Sequence, residues 1–302
     1  MVSRISTYFQ NQNSLRSLQQ ANQDVALSTY QITSGNKTNR LGDMSKDVSQ
    51  VMDLRDITRQ TEIYQSNITG ATNFLKASEA ALQGMSDLLS DAAATAALGR
   101  NENSASTRAS LAPKAEGLAE TFYNLFKTEY NGRYVFSGQN ATNAPVSGNA
   151  SSTAFPGAPV PTTYYQGDSS ELVVITGPNT TLNYGVLGDS EGFAKIKAGL
   201  ESLWYGLENN SLSDIDSAVS ILKDAAANVS TMLGQVGGDM NTLEQLNARH
   251  ESNKDFLSQQ LDELEKVDIS EALTKLTQQQ ATLESSLLVI TQINRLSLLD
   301  YL

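Results

Sequence analysis

Apolar residues recur at alternating steps of three and four along most of this chain. In residues 1–34 the stripe is Leu15, Leu18, Asn22, Val25, Thr29 and Ile32. Such spacing lines one face of a helix. Two of the six positions are polar, so this helix would be marginal alone in water. Asn22 at a seam position would specify register at a cost in stability. Ser34-Gly35-Asn36 ends the pattern, and Lys37 to Asp43 is expected to be a linker. A stronger helix is predicted from Met44 to Leu98. Its stripe runs Ile57, Thr61, Tyr64, Ile68, Ala71, Leu75, Ser78, Leu82, Met85, Leu89, Ala92, Ala96 without a break. A seven-residue repeat held this long implies left-handed supercoiling against a neighbour. Gly70 and Gly84 lie inside it, each costing about 1 kcal/mol relative to Ala, which points to a bend or a close contact. After a polar turn at Gly99–Ser106, a third helix is predicted to Tyr130, with Leu111, Ala115, Leu118, Phe122 and Leu125 on its stripe. Pro113 fits that helix only in its first turn.

At Asn131-Gly132 the pattern changes. Five of the six prolines fall between Pro145 and Pro178, among glycines, serines and threonines. That is turn composition. The strand candidates are Arg133–Ser137, Thr162–Gln166, Glu171–Thr176 and Thr181–Val186, with a mobile loop from Gly148 to Pro161. Helical spacing returns at Glu191 with Phe193, Ile196, Leu200, Leu203 and Trp204. It breaks at Asn209-Asn210-Ser211, and Ser213 or Asp214 can cap the next helix. Gly237-Gly238 is expected to interrupt that helix, and Val267-Asp268 to mark a boundary. The last helical stretch carries Leu273, Leu276, Gln280, Leu283, Leu287 and Ile290, and the sequence closes on Leu298, Leu299, Tyr301 and Leu302. The expected fold class is mainly α: a long antiparallel helical rod or coiled coil formed by the N- and C-terminal parts, with a small inserted β-rich domain. The expected domains are 1–43 with 267–302 (terminal coiled coil), 44–131 with 191–266 (helical rod) and 132–190 (β-rich, outer). The surfaces expected to carry assembly are Leu15, Leu18, Val25, Ile32, Leu273, Leu276, Leu283, Leu287, Ile290, Leu298, Leu299, Tyr301 and Leu302.

Composition narrows the function. Hydrophobic residues make up 39% of the 302, which suits elongated helix pairs that each bury a stripe. The formal net charge is −12. An acidic surface repels phosphates and anionic lipid, so neither nucleic acid nor membrane insertion is expected. No run approaches the roughly 20 apolar residues of a membrane helix. The start lacks the apolar core and cleavage site of a secretory signal, so export, if it occurs, uses no cleaved signal. With no cysteine, disulfides, thiolate metal sites and Cys nucleophiles are excluded. His250 is the single histidine, on a polar stretch, and reads as a surface residue. Zinc there would need carboxylates for every other ligand. Asp262, Glu263 and Glu265 read as a solvated helix face. No phosphate-binding glycine loop or GxSxG elbow occurs. The chain is therefore read as not an enzyme and as needing no cofactor.

Four stretches carry a resemblance. Ser3 to Asp43 carries Ser-Gly-Asn-Lys-Thr-Asn-Arg at 34–40. Asn131 to Gly138 reads NGRYVFSG, Tyr164 to Asp168 reads YYQGD, and Val267 to Leu302 ends Leu-Ser-Leu-Leu-Asp-Tyr-Leu. Together they resemble the flagellin family over nearly the whole chain. The NGRYVFSG segment and the tail are similar to its hook–filament junction members more than to its filament subunits. The resemblance implies export of the unfolded chain through the flagellar type III channel and an extracellular place in the flagellum. There the terminal helices would form an inner layer, the long helices the next, and the β-rich part would face outward. The implied partners are further copies of the chain in a ring, an adjacent hook-associated junction protein, flagellin, and an export chaperone on Leu283, Leu287, Ile290 and Leu298–Leu302. The terminal segments Met1–Ile32 and Ile269–Leu302 are expected to be disordered in the isolated chain and to become helical on assembly. The alternatives are a filament subunit and a type III secretion tip or translocator-like coiled coil. A peptidase insert would need an HExxH pair, which is absent.

Overall fold

The computed structural model of the chain describes residues 2–38, 47–101, 104–140, 142–148, 150 and 164–299. Most of the expected linker, most of the Gly148–Pro161 loop, and Tyr301 and Leu302 lie outside those residues, as do the side chains of Leu298 and Leu299. The elements are α1 (Val2–Ser34), α2 (Val48–Asn101), α3 (Ala105–Phe126), β1 (Glu129–Tyr130), β2 (Arg133–Tyr134), β3 (Leu172–Gly177), β4 (Thr180–Tyr184), α4 (Glu191–Glu208), α5 (Leu212–Glu265) and α6 (Ile269–Leu299). The fold is mainly helical with two small antiparallel hairpins, as the spacing predicts. Two compact units emerge, 1–60 with 252–302 and 61–251.

In the first unit α1 packs along α6. The end of α1 is tied to the start of α6: Val267 N–H donates to Gly35 O at 3.0 Å and Lys37 N–H to Glu265 O at 2.7 Å. Asp268 caps α6, its Oδ1 accepting from Ser270 N–H at 2.8 Å and Glu271 N–H at 3.2 Å. From this tie the two helices run in opposite directions. Both terminal segments are helical over Val2–Ser34 and Ile269–Leu299, each covering the other's seam. Their seam is narrow in bulk. Ser14, Leu18, Ala21, Val25, Ser28 and Ile32 of α1 are buried or half-buried, as are Ala272, Leu276, Gln279, Leu283, Ser286 and Ile290 of α6.

The second unit is built on two sustained stripes. On α2, Thr61, Ile68, Ala71, Leu75, Ser78, Leu82, Met85, Leu89, Ala92 and Ala96 are all buried, as the spacing predicts. Earlier on α2, within the first unit, Ile57 is exposed and Leu54 is buried. On α5, Ile215, Ala218, Leu222, Ala225, Val229, Met232 and Val236 are buried at three-four spacing, and Leu243 and His250 continue the register in steps of seven, with half-buried Met240 and Leu246 between. Gly237-Gly238 does not interrupt this helix: both glycines are exposed and the register passes beneath them. Pro113 stands in the interior of α3, not in its first turn. It is exposed there, so water can solvate the carbonyl of Ala109 that a proline N–H cannot reach. Gly84 marks a close approach, since a Cβ there would lie 3.0 Å from Leu125 of α3.

The β segments belong to this second unit. In β1–β2, Glu129 pairs with Tyr134 and Tyr130 with Arg133. Asn131 and Gly132 form the two-residue turn with φ of 51° and 73°. Such turns match strand twist and need a left-handed backbone at both positions, which Asn-Gly supplies cheaply. The strand predicted over Arg133–Ser137 stops at Tyr134, and Val135 and Phe136 turn into the core. Of the Thr162–Gln166 candidate, Tyr165 makes only an isolated bridge to Val146. In β3–β4, Leu172, Val174 and Thr176 face inward while Val173 and Ile175 face out.

Candidate assembly surfaces

The two terminal helices present more than one face. Leu18, Val25, Ile32, Leu276, Leu283 and Ile290, all expected at an interface, sit half-buried in the α1–α6 seam. Leu15, Leu273 and Leu287 do not; they are 53%, 55% and 45% exposed. Asn22, Thr29 and Gln280 are exposed too, and Ala21, Ser28 and Gln279 occupy the inner positions expected for them. The chain thus uses one edge of each apolar stripe internally. It leaves the other edge as a flank of leucines separated by uncharged polar residues. Leu27, Leu288 and Val289 add exposed apolar surface on the same pair of helices. Apolar area of this kind on helices normally marks a contact with another protein.

The NGRYVFSG and YYQGD stretches form a single knot. The phenol oxygen of Tyr165 lies 3.1 Å from Phe136 O and 2.9 Å from Asp168 O, and can donate to either carbonyl. Tyr164 donates to Gly188 O at 3.0 Å, and Asp168 N–H to Ser137 O at 3.0 Å. Gly138 has φ of +62°, and a Cβ there would fall 2.0 Å from Asp168 O. Phe126, Phe136 and Phe193 pack beneath, with ring centroids 4.9 to 5.8 Å apart. Burial, reinforced by the carboxylate of Asp189, pushes the phenols of Tyr164 and Tyr165 above the usual tyrosine range. This knot fixes how β1–β2 leaves α3 and how the chain enters α4.

His250 corrects the sequence reading. It is 6% exposed, and its Nε2 lies 2.6 Å from Thr176 O, to which it donates. Its ring lies 5.8 Å from that of Tyr64. With Asn67 Nδ2 donating to Ile175 O at 3.1 Å, it holds the tip of β3–β4 onto α2 and α5. At the hairpin's base, Asp239 accepts from Gly185 N–H at 3.1 Å and Gln235 donates to Gly185 O at 3.1 Å. The register running Leu243, Leu246, His250 was the signal that could have found this residue.

A second polar cluster is buried between α3 and α4. Glu201 is 1% exposed, accepts from Tyr123 at 3.1 Å and pairs with Lys197 at 2.6 Å. Burial, then the Glu201 carboxylate, pushes the Tyr123 phenol up. Each charge there is paired, as burial requires. Among the described residues no group of three or more His, Cys, Asp or Glu side chains could hold a metal ion. None of the described helices is long and apolar enough to cross a membrane.

Residues 5–141 match the bacterial flagellin N-terminal helical region, and residues 219–302 match the bacterial flagellin C-terminal helical region. The chain belongs to the bacterial flagellin family. Among flagellin-family relatives, flagellar hook-associated protein 3 of Escherichia coli is 24% identical over 321 residues, which is 98% of each chain. The fold is similar to that of FlgL from Bacillus cereus, with a TM-score of 0.57 and 19% identity, covering 69% of this chain and 98% of that one. It is also similar to the flagellar junction protein FlgL of Legionella pneumophila, with a TM-score of 0.52 and 12% identity, covering 70% and 99%. In flagellin-family terms, α1, α2, α3 and the NGRYVFSG turn lie in the N-terminal region. The greater part of α5 and all of α6 lie in the C-terminal one.

Proposed function

We propose that this chain is a structural subunit of the bacterial flagellum that joins hook to filament and gives flagellin a surface on which to assemble. One observation carries the reading: the match to hook-associated protein 3 runs end to end, over 98% of both chains. The unsatisfied flank of α1 and α6 supports it, because a subunit of a tube must keep apolar surface for its neighbours. In this reading the chain is exported without a cleaved signal and forms a ring with copies of itself. An adjacent hook-associated protein lies on one side of the ring and flagellin on the other. Before export, a chaperone covers the C-terminal helix through Leu283, Leu287 and Ile290. Its work is mechanical, and no catalytic step enters. The test is a strain lacking the gene. Hooks should remain, filaments should be lost, and flagellin should appear in the medium. Normal filaments in that strain would overturn the proposal. Binding of a purified export chaperone should disappear when Leu283–Leu302 is deleted; unchanged binding would remove the chaperone from the scheme.

A further inference from the structure

An open groove of about 440 Å³ runs between α2 and the outer side of β3 in the second unit. Phe74, buried at 3% exposure, lies beneath it, and Tyr130 and Tyr184 meet that ring edge-on at 6.5 and 5.9 Å. Val173 and Ile175 stand on one wall, 50% and 55% exposed. On the other wall Gly70 is exposed, with nothing within 4 Å of where a Cβ would be. A glycine inside a long helix is unfavourable, and no neighbour among the described residues accounts for this one. Arg133 is the only formal charge among the lining residues, its guanidinium 5.8 Å from the Phe74 ring. The groove therefore fits an aromatic side chain with a carboxylate beside it.

The chain carries such a knob. Phe9 and Phe256 are the exposed phenylalanines among the described residues. Phe9 lies between Tyr8 and Gln10, whereas Phe256 follows Asp255 on α5 and is 58% exposed. Charge complementarity selects Phe256. We infer that the groove receives Phe256 and Asp255 of a second copy of this chain, the ring against Val173 and Ile175 and the carboxylate on Arg133. Groove and knob are different surfaces, so the contact is heterologous. Contacts of that kind propagate from copy to copy into rings or helical tubes, instead of closing as a dimer. The inference rests on the proposed junction role and adds the side-to-side contact within the ring.

The test uses the full chain expressed in the strain lacking it. The single variants R133D, D255R and F256A should each lower the number of filaments per cell by about tenfold. The double variant R133D/D255R should recover at least half of the parent number, because every contact then regains a swapped pair. F256A alters only an exposed side chain, so misfolding does not explain its effect. The chain has no cysteine of its own. A V173C/Q259C chain treated with a short bismaleimide on intact cells should therefore give a ladder extending beyond dimer. Parent-like filament numbers for R133D and F256A, or no cross-link, would overturn the groove contact. The junction role would survive that result if L287D still abolished filaments. Failure of the parent chain to restore filaments would overturn the junction role and the contact with it.

Discussion

Replacing His250 with alanine tests whether the β3–β4 hairpin is strapped to the helices by one buried imidazole. The substitution leaves Thr176 O buried without its 2.6 Å donor. An unsatisfied buried carbonyl costs roughly 1–3 kcal/mol. Loss of the ring contact with Tyr64 adds about 0.5–1.5 kcal/mol, and alanine's better helix propensity returns about half a kcal/mol. The net expectation is about 1–4 kcal/mol. With a urea m-value of about 2 kcal/mol/M, the midpoint should fall by about 0.5–2 M. H250F keeps the ring and removes only the donor, so it should cost about 1–3 kcal/mol. Hydrogen exchange localises the loss: amides of β3 and β4 should exchange faster, while those of the α2 stripe around Leu82 change little. If both variants unfold within about 0.5 kcal/mol of the parent, as surface substitutions usually do, the strap is refuted and His250 is the surface residue its sequence neighbours suggest.

G138A should cost about 2–5 kcal/mol in urea unfolding, since its Cβ would displace the Asp168 carbonyl that Tyr165 holds, besides the left-handed backbone cost. A parent-like midpoint would show that the knot yields. Tyr123, Tyr164 and Tyr165 have folded-state pKa values raised above the usual 10.0, chiefly by burial. Their contribution is therefore complete below pH 10 and is lost as pH rises through the folded-state values. Alkaline unfolding should take up to three protons from these phenols, and Y165F should lower the pH slope by one. L273D and L287D place a charge on the exposed flank, so thermal stability should stay within about 0.5 kcal/mol of the parent while filament assembly fails. A filament count equal to the parent's would remove that flank from the assembly surface.

The three-four spacing located every helix, because a stripe has to be apolar wherever it is buried, and periodicity records that directly. The change of pattern at Asn131-Gly132 is a two-residue turn, since few dipeptides take a left-handed backbone twice at low cost, and α3 stops at Phe126, short of the expected Tyr130, so that Glu129–Tyr130 can pair as β1. Two of the four stretches that carry the family resemblance, NGRYVFSG and YYQGD, meet in one knot, where Gly138 and Tyr165 close on the Asp168 carbonyl. Other features were out of reach of a one-dimensional pattern. His250 looked exposed because its neighbours are polar, yet register carries it inward. Gly237-Gly238 looked like a break, yet packing beneath the helix carries it through. The strand expected across Val135–Ser137 was lost to the core, because Phe136 is worth more against Phe126 and Phe193 than in a ladder.

The same limit applies to the terminal helices. Sequence alone determined that α1 and α6 each bear an apolar stripe interrupted by Asn, Thr and Gln. An apolar stripe spans about 100° of a helix, so it contains two neighbouring registers, one through Leu15, Asn22 and Thr29 and one through Ser14, Ala21 and Ser28. Only tertiary structure decided between them. The small side chains went inside, where two helices can approach closely, and Leu15, Leu273 and Leu287 were left on the flank.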